Sequence, residues 1–401
     1  MDQIISPQSI MLEFAEATGL AEPSKQPRRY LWTDAFAVGN YLELYRQNGQ
    51  QSFLQLALKL VDQVHQTLGK QRKDSGSSGW LSGLSEEQGR LHPTQGGLRI
   101  GKKLAERQLG EPSDESLEWD QDGQYYHYLT KWMQALNDLS RVTGDGIFNQ
   151  WALELAKVAH AAFVYTPSTS TSFSPSTSTS TLMSNTRLMY WKMSIDLSHP
   201  LVDSMGHHDP LDGLMTYQQL QARAEEFPEI ASHLNLKAEI KELEAICSRK
   251  EWATGDALGI GGLLTDAFIL VQLIDTQQLR ETDRLVSLLN DIELSLQAFA
   301  THNQLELHAE YRLAFRELGL AIGLHSINKM QLIIGQHSDK FNNSTELSSV
   351  LNKLSQFQQI AELIDNFWIK PEHRSVNSWL QHADINNVML ATSLLSAKKW
   401  F

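Results

Sequence analysis

The chain has 401 residues, 41% hydrophobic and 20% charged, enough for a substantial core in two or three average domains or in one large repeat-built domain. Its net charge of −13 argues against a nucleic-acid-binding surface, and no cluster of Lys and Arg offsets it; "GKQRKD" at 69–74 reads as a solvated helix end. Cys247 is the only cysteine, which excludes an intramolecular disulfide framework and a cysteine-built zinc site.

The first segment, "MDQIISPQSIMLEFAEATGL", has an early acid and no long apolar core, so no secretion signal is expected. Residues 32–48 and 52–69 both carry apolar side chains at three-to-four spacing around a short "GQQ" turn. The same pattern of long helix, short turn and long helix recurs at 125–144 with 147–165, and at 210–227 with 228–248. A fourth copy is 255–275 with 282–302, and a fifth is 311–334 with 347–368. The last segment, 376–400, lacks a following partner, and 7–19 lacks a preceding one. Pairing these two terminal helices supplies a sixth hairpin and closes a ring.

Periodicity of this kind predicts an all-α fold, an (α/α)6 toroid of six helical hairpins forming a single domain over 1–401. In each pair one helix is rich in Gly, Ala and aromatic residues and apolar almost all round, while its partner is amphipathic. An inner ring wrapped by an outer one requires that contrast. A solenoid is the competing arrangement, but its end caps need polar faces and the terminal segments here are apolar. The most apolar run, "GIGGLLTDAFILVQLI", is interrupted by Asp266 and is short for a bilayer, so no membrane contact is expected and a cytoplasmic setting fits.

Two stretches interrupt the repeat. Residues 74–122 are Gly-rich and too long for a plain connection. Around 165–205 a small irregular or β-hairpin insertion is expected, including the tract "STSTSFSPSTSTST". Each is either a tolerated surface insertion or a flap over a mouth.

Polar and aromatic residues gather at the starts of the inner helices. "RRYLWTD" offers Arg29, Trp32 and Asp34; "QYYHYLTKW" offers Tyr126, His127 and Lys131, the last two one turn apart on one face. "GHHDPLD" brings His207, His208, Asp209 and Asp212, and "WATGDALG" brings Trp252 and Asp256. "EYRLAFRELG" contributes Arg312, Arg316 and Glu317, and "NSWLQH" contributes Trp379 and His382. Inner helices of a toroid run the same way, so these starts meet at one end, where helix N-termini favour oxygen-rich ligands. Aromatic rings beside carboxylates and arginines suit a carbohydrate, whose apolar faces stack while its hydroxyls take hydrogen bonds.

Bland alternatives stand beside these. Asp209 is a natural N-cap, Pro210 fits the first helical position, and Asp212 falls three residues after the cap. Trp252 and Trp379 fit a core as well as a platform, Asp34 and Asp256 fit caps or arginine partners, and His325 reads as packing.

The motifs "TGDALGIGGL" and "RELGLAIGL", with aromatic residues on paired helices throughout the chain, resemble the six-hairpin (α/α)6 superfamily. That superfamily includes glycoside hydrolases and the N-acylglucosamine 2-epimerase group, so the resemblance implies a toroid acting on a small-molecule carbohydrate. Lanthionine-synthetase cyclases share the toroid but hold zinc with two cysteines and a histidine, and Cys247 alone departs from that pattern. The leading expectation is a glycoside hydrolase, which needs two carboxyl groups across the scissile bond, drawn here from Asp34, Asp209, Asp256 and Glu317. An epimerase or isomerase would instead use facing histidines from His127, His208 and His382. A non-catalytic sugar-binding toroid would have its acids consumed as caps and arginine partners. No cofactor and no metal are expected, because the adjacent histidines of "GHHD" point apart more easily than they converge.

Overall fold

The computed structural model describes residues 5–22, 26–112, 114–167, 187–248, 250–277 and 279–397. The tract "STSTSFSPSTSTST" lies outside the described residues. The fold is all-α, 66% helical, with only short strands among the described residues. By its contacts the chain divides into two compact units, one of residues 1–28, 33–61 and 251–401, the other of residues 29–32 and 62–250.

In the first unit the helix Pro7–Ala17 starts on a Ser6 capping box with Pro7 in its first turn. It packs against Ala383–Ser396, so the two ends of the described chain lie together. Tyr41 Oη donates to the Met11 carbonyl at 2.9 Å and Asn40 Nδ2 to the Val388 carbonyl at 3.1 Å, joining three distant segments. The helices Ala257–Gln277 and Thr282–Thr301 form one antiparallel pair. The next pair is broken in both arms. Ala314–Leu324 packs on Gln358–Trp368, and Ser326–Gln336 packs on Ser344–Ser355. His325 stands at the first break and its Nε2 lies 2.9 Å from Asp365 Oδ2, while Ser393 Oγ donates to Asp365 Oδ1 at 2.6 Å. The packing role expected of His325 thus includes a buried polar contact.

The glycines of the two motifs have a steric task. A Cβ at Gly261 would come within 2.1 Å of the Gly319 carbonyl oxygen, and one at Gly323 within 2.6 Å of the Gly261 carbonyl. Helices Ala257–Gln277 and Ala314–Leu324 therefore cross backbone to backbone. Ala257–Thr276 is the one described helix long and apolar enough to cross a membrane, and 72% of that window is buried inside the protein.

In the second unit Tyr126–Thr143 ends where Gly144 adopts φ 74°, a left-handed position open to glycine at no steric cost. Asp145 then caps Gly146–Phe163 through a bond from Ile147 N. Asp209–Ala224 packs on both of these helices and on Lys237–Cys247. Between the helical pairs lie short strands, most of them in the stretch expected as an irregular or β-hairpin insertion, with Gln124–Tyr125 outside it. Gln124–Tyr125, Lys192–Met193 and Pro200–Val202 make a small antiparallel sheet, and Val164–Tyr165 pairs with Leu188–Met189. The irregular stretch before Gln124 is held by Asp122, which is fully buried. Its carboxylate accepts from Arg99 at 2.6 Å, Arg72 at 3.0 Å and the Gly101 amide at 3.0 Å. A charge taken that far from water persists only with such saturation.

Candidate functional site

The densest polar constellation in the second unit centres on Asp212, in the first turn of Asp209–Ala224. Lys131 Nζ donates to Asp212 Oδ1 at 2.7 Å, and Gln134 Nε2 donates to the same oxygen at 3.2 Å. Thr130 Oγ1 donates to Oδ2 at 2.5 Å, and His127 Nδ1 lies 3.3 Å from it. All four partners come from one helix, at positions 127, 130, 131 and 134. That spacing puts them on one face.

Burial alone raises the Asp212 pKa, but the Lys131 ammonium and the His127 contact outweigh it and hold the carboxyl well below the usual range. Asp212 is thus a fixed anion. An ionised partner at Nδ1 favours the tautomer with its proton on that nitrogen and Nε2 as the basic atom. Trp32 Nε1 donates toward His127 Nε2 at 3.4 Å, a long contact that a ligand can displace. The His127 side chain is 31% exposed.

Asp209 behaves in the opposite way. Burial, with the Asp212 charge added, raises its pKa to about 6, although His127 and Lys250 lower it. Its Oδ2 has no hydrogen-bond partner among the described residues. The expected N-cap role is not what the structure shows. The helix begins at Asp209 itself, with His208 at the cap position and no side-chain cap bond. Pro210 removes one amide donor from the first turn, and the carboxylate folds back onto Gly206, where a Cβ would come within 2.3 Å of Oδ2. His207 is exposed and His208 half-buried, their rings edge to face with centroids 4.8 Å apart. Tyr126, expected to bind substrate, is fully buried, packed so closely on Gly213 that a Cβ there would come within 2.3 Å of its hydroxyl. It backs the cluster and does not line it. Arg29 and Trp32 are buried as well.

The remaining candidates belong to the first unit. Glu317 is gripped by Arg312 through two bonds of 2.9 and 2.6 Å and accepts from Trp368 Nε1 at 2.8 Å, so both its oxygens are occupied. Arg312 lies 3.7 Å over the Phe367 ring and is buried. These two form a structural clamp, unlike the substrate and catalytic roles expected of them. Trp252 and Trp379 are buried, and Trp379 packs on Trp368 with centroids 5.4 Å apart. Asp34 is also buried. Asp256 accepts from Gly259 N at 3.0 Å as a helix cap and pairs with Arg316 at 2.5 Å, with both side chains about 40% exposed. His382 sits edge-on to Phe315 at 5.8 Å.

Thr130 and Gln134 carry no sequence signal beyond their spacing from His127 and Lys131, which places all four on one helix face. Among the described residues no group of His, Cys, Asp and Glu is arranged to hold a metal ion.

No family model matches the sequence, and no curated protein does either. Among solved structures the chain is similar to the cellobiose 2-epimerase of Spirochaeta thermophila DSM 6192, over 96% of this chain and 97% of that one. The two are 13% identical, with a TM-score of 0.48.

Proposed function

We propose that the chain is a carbohydrate-active enzyme, a single six-hairpin ring over 1–401 that epimerises or isomerises a sugar by proton transfer at the carbon beside its carbonyl. The observation that carries this reading is the complete engagement of Asp212. A carboxylate accepting from Lys131, Gln134 and Thr130 and facing His127 has no lone pair left for attack on a sugar, but it orients an imidazole. In the proposed step His127 Nε2 takes the proton from C2 of the open-chain aldose, and the electron pair moves to the carbonyl oxygen. Asp209, whose buried carboxyl holds its proton up to about pH 6, donates it to that oxygen so that the enediol forms. His208, at the cap of the helix that carries both aspartates, is assigned as the second histidine and delivers its own proton to the opposite face of C2. The O1 proton goes back to the Asp209 carboxylate, giving the epimer. Delivery of a proton to C1, with the O2 proton passing to Asp209, gives the ketose, and His127 and His208 then reset by exchange with solvent.

Hydrolysis is the second reading, because opposite pKa displacements at Asp209 and Asp212 are also what an acid and a nucleophile need. The occupied oxygens of Asp212 and of Glu317 weigh against it. Free aldoses and reducing disaccharides in D2O, followed by proton NMR, test the proposal directly. Loss of the C2–H signal with a new epimer or ketose is expected, and His127→Ala should slow exchange by at least about 100-fold. Release of aglycone from chromogenic glycosides without C2 exchange would overturn it in favour of hydrolysis. Sugar binding with neither reaction would favour a non-catalytic toroid.

A further inference from the structure

One ammonium in the second unit is drawn partly out of water without a carboxylate to meet it. The Lys102 side chain is half-buried, while its neighbour Lys103 stands in solvent. Its Nζ makes no hydrogen bond or ion pair among the described residues and lies over the Tyr30 ring, 5.4 Å from the centroid. Burial lowers its pKa against the charges of Asp120 and Asp122, neither of which comes within ion-pair distance. A lysine seeking only solvation would extend its stem outward. Here the main chain is pinned, the Lys102 amide donating to Asp122 Oδ1 at 3.4 Å and its carbonyl accepting from Arg72 at 2.8 Å.

The groups beside that ammonium are hydroxylic. Tyr30 Oη and Tyr128 Oη are 2.7 Å apart, with ring centroids 5.6 Å apart, and the Tyr128 ring is 6.2 Å from that of His127. With Tyr30 as donor in that bond, the Tyr128 proton is left for an acceptor. Burial pushes the Tyr30 pKa up to about 12 and raises that of Tyr128 well above its usual value. Yet both tyrosines, like Lys102 and His127, keep part of their surface in solvent. Groups enclosed by protein but still reached by water line a depression. Burial first, and the Lys102 charge after it, depress the Lys192 pKa, so a second ammonium, tied to Glu118 at 2.7 Å, stands close by. A chain of net charge −13 has no general attraction for anions, so this positive spot is local.

We propose that Lys102, with the Tyr30 and Tyr128 hydroxyls, is an anion subsite beside His127, and that the substrate is an acidic sugar, an aldose whose far end carries a carboxylate or phosphate. The inference rests on the proton-transfer reading for where the carbonyl end lies. A neutral sugar returns nothing to an ammonium already removed from water, whereas an oxyanion restores the charge-assisted hydrogen bonds it lacks. Tyr128 adjoins both Tyr30 and His127, so the anion and the carbon that loses its proton lie on either side of one ring.

Alditols lack the carbonyl, so their binding is read apart from turnover. Glucitol, mannitol, their 6-phosphates, gulonate (the alditol of glucuronate) and inorganic phosphate would be titrated into the full chain by calorimetry. At least one acidic alditol should bind about tenfold more tightly than its neutral counterpart. Lys102→Met should cut that advantage below about threefold, Lys102→Arg should keep most of it, and Lys103→Met should leave it unchanged. Thermal melts check that each variant folds, and Lys102→Gln decides if Lys102→Met does not. No preference for any acidic alditol, or a preference untouched at Lys102, overturns the inference. Inorganic phosphate binding as tightly as every acidic alditol overturns it too, because the sugar then contributes nothing. C2 exchange confined to neutral sugars would sink the acidic substrate and leave the proton-transfer reading standing. Anion-selective, Lys102-dependent binding without C2 exchange on any sugar would do the reverse.

Discussion

Asp209 and Asp212 stand three residues apart on one helix, and their surroundings drive them in opposite directions. For Asp209 the rise from 3.8 to about 6 has a thermodynamic sign. Between those values the folded protein holds a proton that the unfolded chain has released, so stability falls as pH climbs through that window, by about 3 kcal/mol in total. Asp209→Asn removes the ionisation. Denaturant titrations should find the variant more stable than the parent by up to about 3 kcal/mol at pH 8, with the difference fading toward pH 4. A difference independent of pH would refute the burial argument. Asp212 gives the complementary case. Asp212→Asn strands the Lys131 ammonium, whose side chain is 11% exposed, and should cost about 3 kcal/mol. Adding Lys131→Met should recover part of that loss, because the unpaired charge is then gone. Full additivity of the two changes would contradict the pairing.

Among the helices, the two glycine motifs allow a controlled comparison. Gly261 and Gly262 are neighbours in Ala257–Gln277, but only Gly261 faces the crossing helix. Gly261→Ala should cost about 2 kcal/mol or more despite its better helix propensity, because the new Cβ meets the Gly319 carbonyl. At Gly262 a Cβ meets nothing within 4 Å, and Gly262→Ala should be neutral or stabilising by up to about 1 kcal/mol. Equal effects in denaturation would mean that the close crossing is absent. The broken fifth pair shows the same limit of periodicity. Its apolar spacing runs on through His325, and the break coincides with a polar contact to Asp365 that lies far off in the chain.

For the molecule as a whole, the first unit is assembled from three stretches that are remote in sequence. Pro7–Ala17 buries Ile10, Met11, Phe14 and Ala15, and its partner Ala383–Ser396 comes from the other end of the described chain. Removing residues 1–22 should cost on the order of 5 kcal/mol from the larger buried side chains alone, comparable with a typical domain's whole stability. Limited proteolysis and thermal melting would show this as rapid cleavage within 383–396 and a collapse of the transition. A truncated chain with unchanged melting would show that the terminal helix adds nothing. Much of this organisation was legible beforehand, since helical period, turn residues and the contrast between apolar and amphipathic partners are local properties. The fate of each acid was not. Glu317 reads in sequence like any helix-start carboxylate, and only the arrival of Trp368 beside Arg312 removes it from use.

By itself the sequence determined the helical hairpins and the glycine-lined helices, because backbone preference and burial period act over a few residues, while the stretch near 165–205 stayed open between an irregular and a β-hairpin insertion. The tertiary structure alone decided that His127 and Lys131 meet Asp212, that Asp209 folds back onto Gly206 and leaves the cap unfilled, and that Tyr126 lies behind the cluster. Ionisation and hydrogen bonding depend on every charge and dipole within a few ångströms, and the residues supplying them are some eighty positions apart along the chain.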